Sequence, residues 1–188
     1  MAGPVLIAWA LVLLQLAPVA TPAPPPARPI WGPPIAHAAV LLTTLRSIES
    51  VLYPLPFAQA DDVPRHYAEA YTKLPIFDTH ARAFEWDHDP WTINVIGHGM
   101  MGSELYIHAR MCSFGWPGSL AFAAIASTTW EYGFEASAVR PSAWDLVYTP
   151  LAALVLGEAR YQLAHVKALR AIVDPFGELG RVALKSPC

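Results

Sequence analysis

The sequence predicts an all-α protein, a compact bundle of about four to six helices placed after an N-terminal export segment and a proline-rich tether. Three observations carry that expectation. The long apolar runs are rich in Ala and Leu, and none alternates with period two over several residues, which is the mark of a half-buried strand. Pro, Gly and capping residues punctuate the runs at helix-length intervals. The chain is 188 residues long, enough for one domain with a real core.

Taken in order, residues 1–27 carry no charged side chain, and Val5–Leu16 is an apolar run of signal-peptide rather than spanning length. Residues 1–20 are therefore expected to be a signal peptide or an uncleaved anchor, with export to the cell envelope in either case. Prolines crowd between Pro18 and Pro34, so residues 21–35 are expected to form a stiff extended linker that neither enters a helix nor buries a core.

Residues 36–88 are expected to hold an amphipathic helix and a polar connecting region. In the helix, over 36–53, Val40, Leu41, Ile48, Val51 and Leu52 form an apolar side and Arg46 and Glu49 the other. A short helix over 64–74 follows, with Pro64 in its first turn. The EWDHDPW turn groups Asp87, His88 and Asp89. Consecutive side chains diverge, however, so Asp89-Pro90 is expected to cap the next helix rather than bind a metal.

Residues 89–188 are expected to be the helical core domain. Its helices run over about 91–111, 117–139 and 143–166, with a last short one after Asp174-Pro175. Gly97, Gly99 and Gly102 weaken the first of these, which points to close approach by a partner helix. Ser142-x-x-Asp145 has the form of a capping box, and Pro150 falls inside the helix that follows. Cys112 and Cys188 are too few for a disulfide framework; free thiols are the expectation, with a Cys112–Cys188 pair or a bond between chains as the alternatives.

Composition bounds the function. Hydrophobic residues make up 54 % and charged residues 14 %, with mean hydropathy +0.33, which points to a membrane surface or bilayer as a partner. A net charge of −3 without any basic cluster excludes nucleic acid. Protein partners are not identified by any motif.

Charges within apolar helices require compensation. Glu131 and Glu135 are four apart and face the same way, and Glu104 and His108 repeat that spacing. Against these acids, with Asp145 and Glu158, the cations of the same stretch are Arg110, Arg140 and Arg160. The first reading is a buried ion-pair network with no cofactor, serving a structural or interaction role in the envelope. The alternative is a metal-dependent or acid–base enzyme, hydrolase-like, with His98, Glu131, Glu135, Asp145 and Glu158 as candidate catalytic residues. A transition metal would then take His98, Glu131, Glu135 and Glu158 as ligands. Neither the Glu-x-x-His spacing of di-iron bundles nor a zinc His-Glu-x-x-His motif is present.

The segment 89–158 resembles the bacterial family called domain of unknown function 3943. The resemblance rests on Asp89-Pro90, Asn94-x-x-Gly97-His98, Gly102-Ser103, Ala109-Arg110, Trp130-Glu131-Tyr132, Glu135, Pro141-Ser142-x-x-Asp145, Thr149-Pro150 and Gly157-Glu158. Gly99 stands where that family often has Pro. The resemblance implies an exported or envelope-associated bacterial protein and no known activity. A looser likeness to VanZ-like membrane proteins implies a membrane-embedded helical bundle.

Overall fold

Four long helical rods, each roughly 20 residues or ~30 Å at 1.5 Å per residue, build the structure. The computed structural model describes residues 28–58, 61–183, 185 and 188, with Ala183 by its backbone alone. The predicted signal or anchor and residues 21–27 of the predicted linker lie outside the described residues.

The first rod is α1 (Gly32–Leu52), followed by the short turns α2 (Pro54–Phe57) and α3 (Val63–Thr72). The second is a π-helical turn (Thr92–Gly97) running straight into α4 (His98–Met111). The third is α5 (Trp116–Thr129), continued by a π turn (Trp130–Phe134) and a 3-10 turn (Glu135–Ser137). The fourth joins α6 (Ala143–Ala152) to α7 (Glu158–Ala164) through a third π turn (Ala153–Gly157). Two short helices close the chain, α8 (Lys167–Val173) and α9 (Pro175–Ala183). The class is all-α, as predicted, with more helical segments than the predicted four to six because the loops at both ends are themselves helical.

The rod α4 is the centre of the bundle and packs against α1, α5 and α6–α7. Short connections at 112–115 and 138–142 make the last three rods antiparallel neighbours. Two ends result. The disulfide end holds the start of α1, the 112–115 turn, α8 and α9, and Ile30 N–H donates to the Cys112 carbonyl there (3.0 Å). The opposite, acidic-loop end holds α2, α3, residues 73–91 and residues 135–142, pinned by a parallel bridge between Ile76 and Ser142.

Small residues set the rod spacing. A Cβ built on Gly102 falls 2.6 Å from the Thr149 carbonyl oxygen, and one on Gly157 falls 2.7 Å from the Tyr106 ring, so both glycines are required by close approach. Gly99 also faces α6, but Gly97 is exposed and its Cβ would meet nothing nearer than 3.9 Å, contrary to the expectation that all three glycines share one contact.

Three further expectations are corrected. Pro33 and Pro34 form the first turn of α1 and Pro34 is buried, because proline's missing N–H costs nothing at a helix start. Cys112 and Cys188 are joined in a disulfide across a separation of 76 residues, since the end of the chain returns to the end of α4. The faces of α1 are largely exchanged: Leu41 packs against the core as expected, but Val40, Ile48, Val51 and Leu52 point outward, Val51 being 78 % exposed, while Arg46 turns inward to donate to the Phe57 carbonyl (3.0 Å) and Ser137 Oγ (2.9 Å).

That reversal extends over the whole bundle. Between residues 91 and 157 every charged side chain is buried or half-buried, whereas Trp116, Ile125, Val147, Leu151 and Val155 are exposed. An apolar cleft of about 260 Å³ runs between α1 and α5 on this outer surface, lined by residues such as Ile35, Ala39, Phe122 and Ile125.

Candidate functional site

Two side-chain clusters occupy the bundle interior, one toward each end. At the acidic-loop end, ligand-type atoms of His98, Glu131 and Asp145 all lie within 4.8 Å of one another, and all three residues are buried. His98 begins α4 directly after a π turn, Glu131 lies within the second π turn, and Asp145 sits in the first turn of α6. The wider π register appears at two of the three positions that deliver these groups, a placement common at functional sites.

Local hydrogen bonding explains the convergence. Ser142 Oγ caps α6 by accepting from the Asp145 backbone N–H (3.1 Å). In an ordinary capping box the acid three residues on reaches back to the cap's own N–H. Here Glu131 Oε2 takes that N–H instead (2.7 Å), which leaves the Asp145 carboxylate free to face His98 Nδ1 at 3.7 Å. His98 is oriented by Thr149 Oγ1 (3.0 Å), which belongs to the same residue whose carbonyl meets Gly102.

Asp87 completes the shell. It accepts from Ser142 Oγ, from Asn94 Nδ2 (2.6 Å) and from the Asp89 backbone N–H (3.0 Å). Burial alone would raise its carboxyl pKa, but polar contacts with Asp145, Ser142 and Asn94 outweigh that and hold it below the usual aspartate range. Asp89 is pushed up to about 6, first by burial and then by the neighbouring Asp87 charge. No side-chain capping bond from Asp89 is formed, so the expected Asp89 cap is replaced by a network centred on Asp87.

The acids here have few donors. Glu131 Oε1, Glu135 Oε1 and Asp145 Oδ1 are buried without a hydrogen-bond partner among the described residues. Glu135 lies beside Glu131 but outside the three-residue set. Neither Trp130 Nε1 nor Trp144 Nε1 has a partner among those residues, although both sit near this end.

Glu158, expected in the same centre, is elsewhere. It accepts from Arg110 Nε (2.9 Å) and Nη2 (3.1 Å) and from Tyr106 Oη (2.7 Å), a forked ion pair beyond the middle of the bundle. It follows the third π turn, on the half of the fourth rod that runs away from the acidic-loop end. The second cluster, toward the disulfide end, comprises His37, Glu104 and His108, whose ligand-type atoms also lie within 4.8 Å of one another.

Residues 83–176, half of the chain, match the family described as domain of unknown function (DUF3943). The chain belongs to this family. The matched span contains His98, Glu131, Glu135, Asp145, Asp87 and Glu158, so the family segment carries the acidic-loop centre whole, while His37 lies before it. No curated protein and no solved structure matches the chain.

Proposed function

We propose that this DUF3943 protein is a membrane-embedded envelope protein whose interior binds a divalent transition metal at His98, Glu131 and Asp145. The observation that carries the metal reading is the set of buried carboxylate oxygens on Glu131, Glu135 and Asp145 that face one another without an Arg, Lys or Trp N–H donor among the described residues. A structural ion-pair network answers each acid with a donor, as Arg110 does for Glu158 through both carboxylate oxygens. Buried carboxylates left together without one either hold protons or are compensated by a cation, and the His98 imidazole that converges on two of them favours the cation.

An imidazole with two carboxylates suits zinc, manganese or iron. Three protein ligands leave positions for water or substrate, the open arrangement of catalytic rather than structural sites. Glu135, beside Glu131, would be a further carboxylate able to take a proton from water held on such an ion, the chemistry of metal-assisted hydrolysis. Ser142 on Glu131 is an outer partner that fixes ligand orientation, whereas Thr149 contacts the same His98 Nδ1 that faces Asp145 and would yield that nitrogen to a bound ion.

The bilayer reading is supported by the inverted surface. Charges that face inward and apolar side chains that face outward favour a lipid solvent, and α1 is the one helix among the described residues long and apolar enough to cross a bilayer. Exposed Trp31 and Trp116 at the disulfide end and exposed Trp91 at the other mark the two interfaces. Trp130 is buried and takes no part in either belt. The Cys112–Cys188 bond supports a disulfide end that faces the oxidising side of the membrane.

Elemental analysis of the full chain, purified in detergent without chelator, tests the metal reading. Stoichiometric metal that falls in Glu131→Gln and in Asp145→Asn, with helical content retained, is expected. Folded protein lacking metal, and taking none up from added zinc or manganese, would return the structural reading. Resistance to alkaline carbonate extraction is expected for the embedded bundle; release into the soluble fraction would overturn it.

A further inference from the structure

We propose a second, independent transition-metal site formed by His37, Glu104 and His108, with Glu104 held in ligating position by Arg160. The residues come from separate parts of the chain: His37 from α1, Glu104 and His108 from one face of α4. His37 Nε2 lies 3.4 Å from Glu104 Oε1, and the two imidazoles stack with centroids 4.1 Å apart. His108 Nδ1 is buried without a hydrogen-bond partner among the described residues, and the buried His37 Nε2 and Glu104 Oε1 have only each other. Glu104 and His108 are 5 % and 6 % exposed and His37 is half-buried; because the two rings stack nearly parallel, one of them turns about its χ2 to bring both ring nitrogens onto one ion.

Two imidazoles and a carboxylate form a ligand set that favours zinc and its neighbours over calcium or magnesium. The outer partners support the same role. Arg160 takes the other carboxylate oxygen, Oε2, while donating to Ser103 Oγ (2.6 Å) and the Val173 carbonyl (2.8 Å). That anchoring leaves Oε1 turned toward the histidines, in the manner of a ligand fixed from behind. Phe176 of α9 lies over His37, 6.3 Å between centroids, and closes the cluster from the disulfide end. The cluster uses none of the residues assigned to the first centre, so the two sites stand or fall separately.

The test is titration of the full chain in detergent with Co²⁺, followed by the visible bands of the bound ion, and with Zn²⁺ by competition. Two equivalents are expected in the wild type and one in His37→Ala or His108→Ala, with Zn²⁺ affinity at the lost site reduced about 100-fold or more. His37 is partly exposed, so its replacement tests the site even where His108→Ala does not fold. If only the first centre is wrong, wild type binds one equivalent and His37→Ala binds none. If wild type binds one or no equivalent and His37→Ala binds the same amount, the second site is refuted.

Discussion

Replacing Gly102 by Ala tests how the bundle positions its chemistry. The new Cβ would lie 2.6 Å from the Thr149 carbonyl oxygen, 2.9 Å from Thr149 Cγ2 and 3.2 Å from Ala153 Cβ. A backbone oxygen cannot rotate aside, so α4 and α6 must separate by several tenths of an ångström. Overpacking of this kind costs about 1–3 kcal/mol. The better helix propensity of Ala returns up to ~1 kcal/mol, leaving a net loss on the order of 1–2 kcal/mol and a melting temperature lower by roughly 2–8 °C. Thr149 also holds His98 through Oγ1, so the same displacement should weaken metal binding at the first centre. Gly97→Ala is the control, because its Cβ has no neighbour closer than 3.9 Å and the propensity gain should appear alone. Thermal unfolding of both variants in one detergent, with zinc affinity measured alongside, is the assay. Equal shifts in the two variants, or a stabilised Gly102→Ala, would refute the close-contact argument.

Three other outcomes follow from the same geometry. Asp89 has a folded pKa raised to about 6, so from about pH 4 to 6 the folded chain holds a proton that the unfolded chain has lost; stability should fall as pH rises through that window. Asp89→Asn should flatten that slope and gain up to about 3 kcal/mol at neutral pH, and an unchanged pH profile of thermal unfolding would contradict the assignment. Glu158→Gln should weaken the Arg110 fork and lower thermal stability while leaving metal content at the first centre intact; loss of that metal would restore Glu158 as a ligand. Alkylation of the denatured, unreduced protein should label neither cysteine, with both labelled only after reduction, and any thiol labelled without reductant would argue against the Cys112–Cys188 bond.

The helices could be read from the sequence because their ends are written locally. Pro117, Ser142 with Asp145, and Asp174-Pro175 stop or start helices through backbone chemistry that needs no tertiary partner. The orientation of α1 could not, because placing Val40, Ile48 and Val51 inward assumes water outside, and the rest of the bundle surface is equally apolar. His98, Glu131 and Asp145 were legible as charges in apolar helices that require compensation. Asp87 was not, since its role depends on Ser142 crossing from a distant turn, and neighbouring Asp89 offered a simpler local explanation. His37 was hidden for the same reason: nothing in α1 indicates that it stacks on His108 of α4. Glu158 misled because an inward-facing acid looks alike whether an arginine or a metal answers it. A π turn around Glu131 and before His98 is a geometric signal that residue spacing alone does not encode.

The central claim is that His98, Glu131 and Asp145 hold a metal ion inside the bundle. X-ray absorption at the edge of the ion bound by His37→Ala protein, which isolates this centre, reads its ligand shell directly. The account predicts a shell of nitrogen and oxygen only, with the scattering pattern of a single imidazole that disappears in His98→Ala. A shell without imidazole, or with sulfur, or an ion retained unchanged in His98→Ala would contradict it.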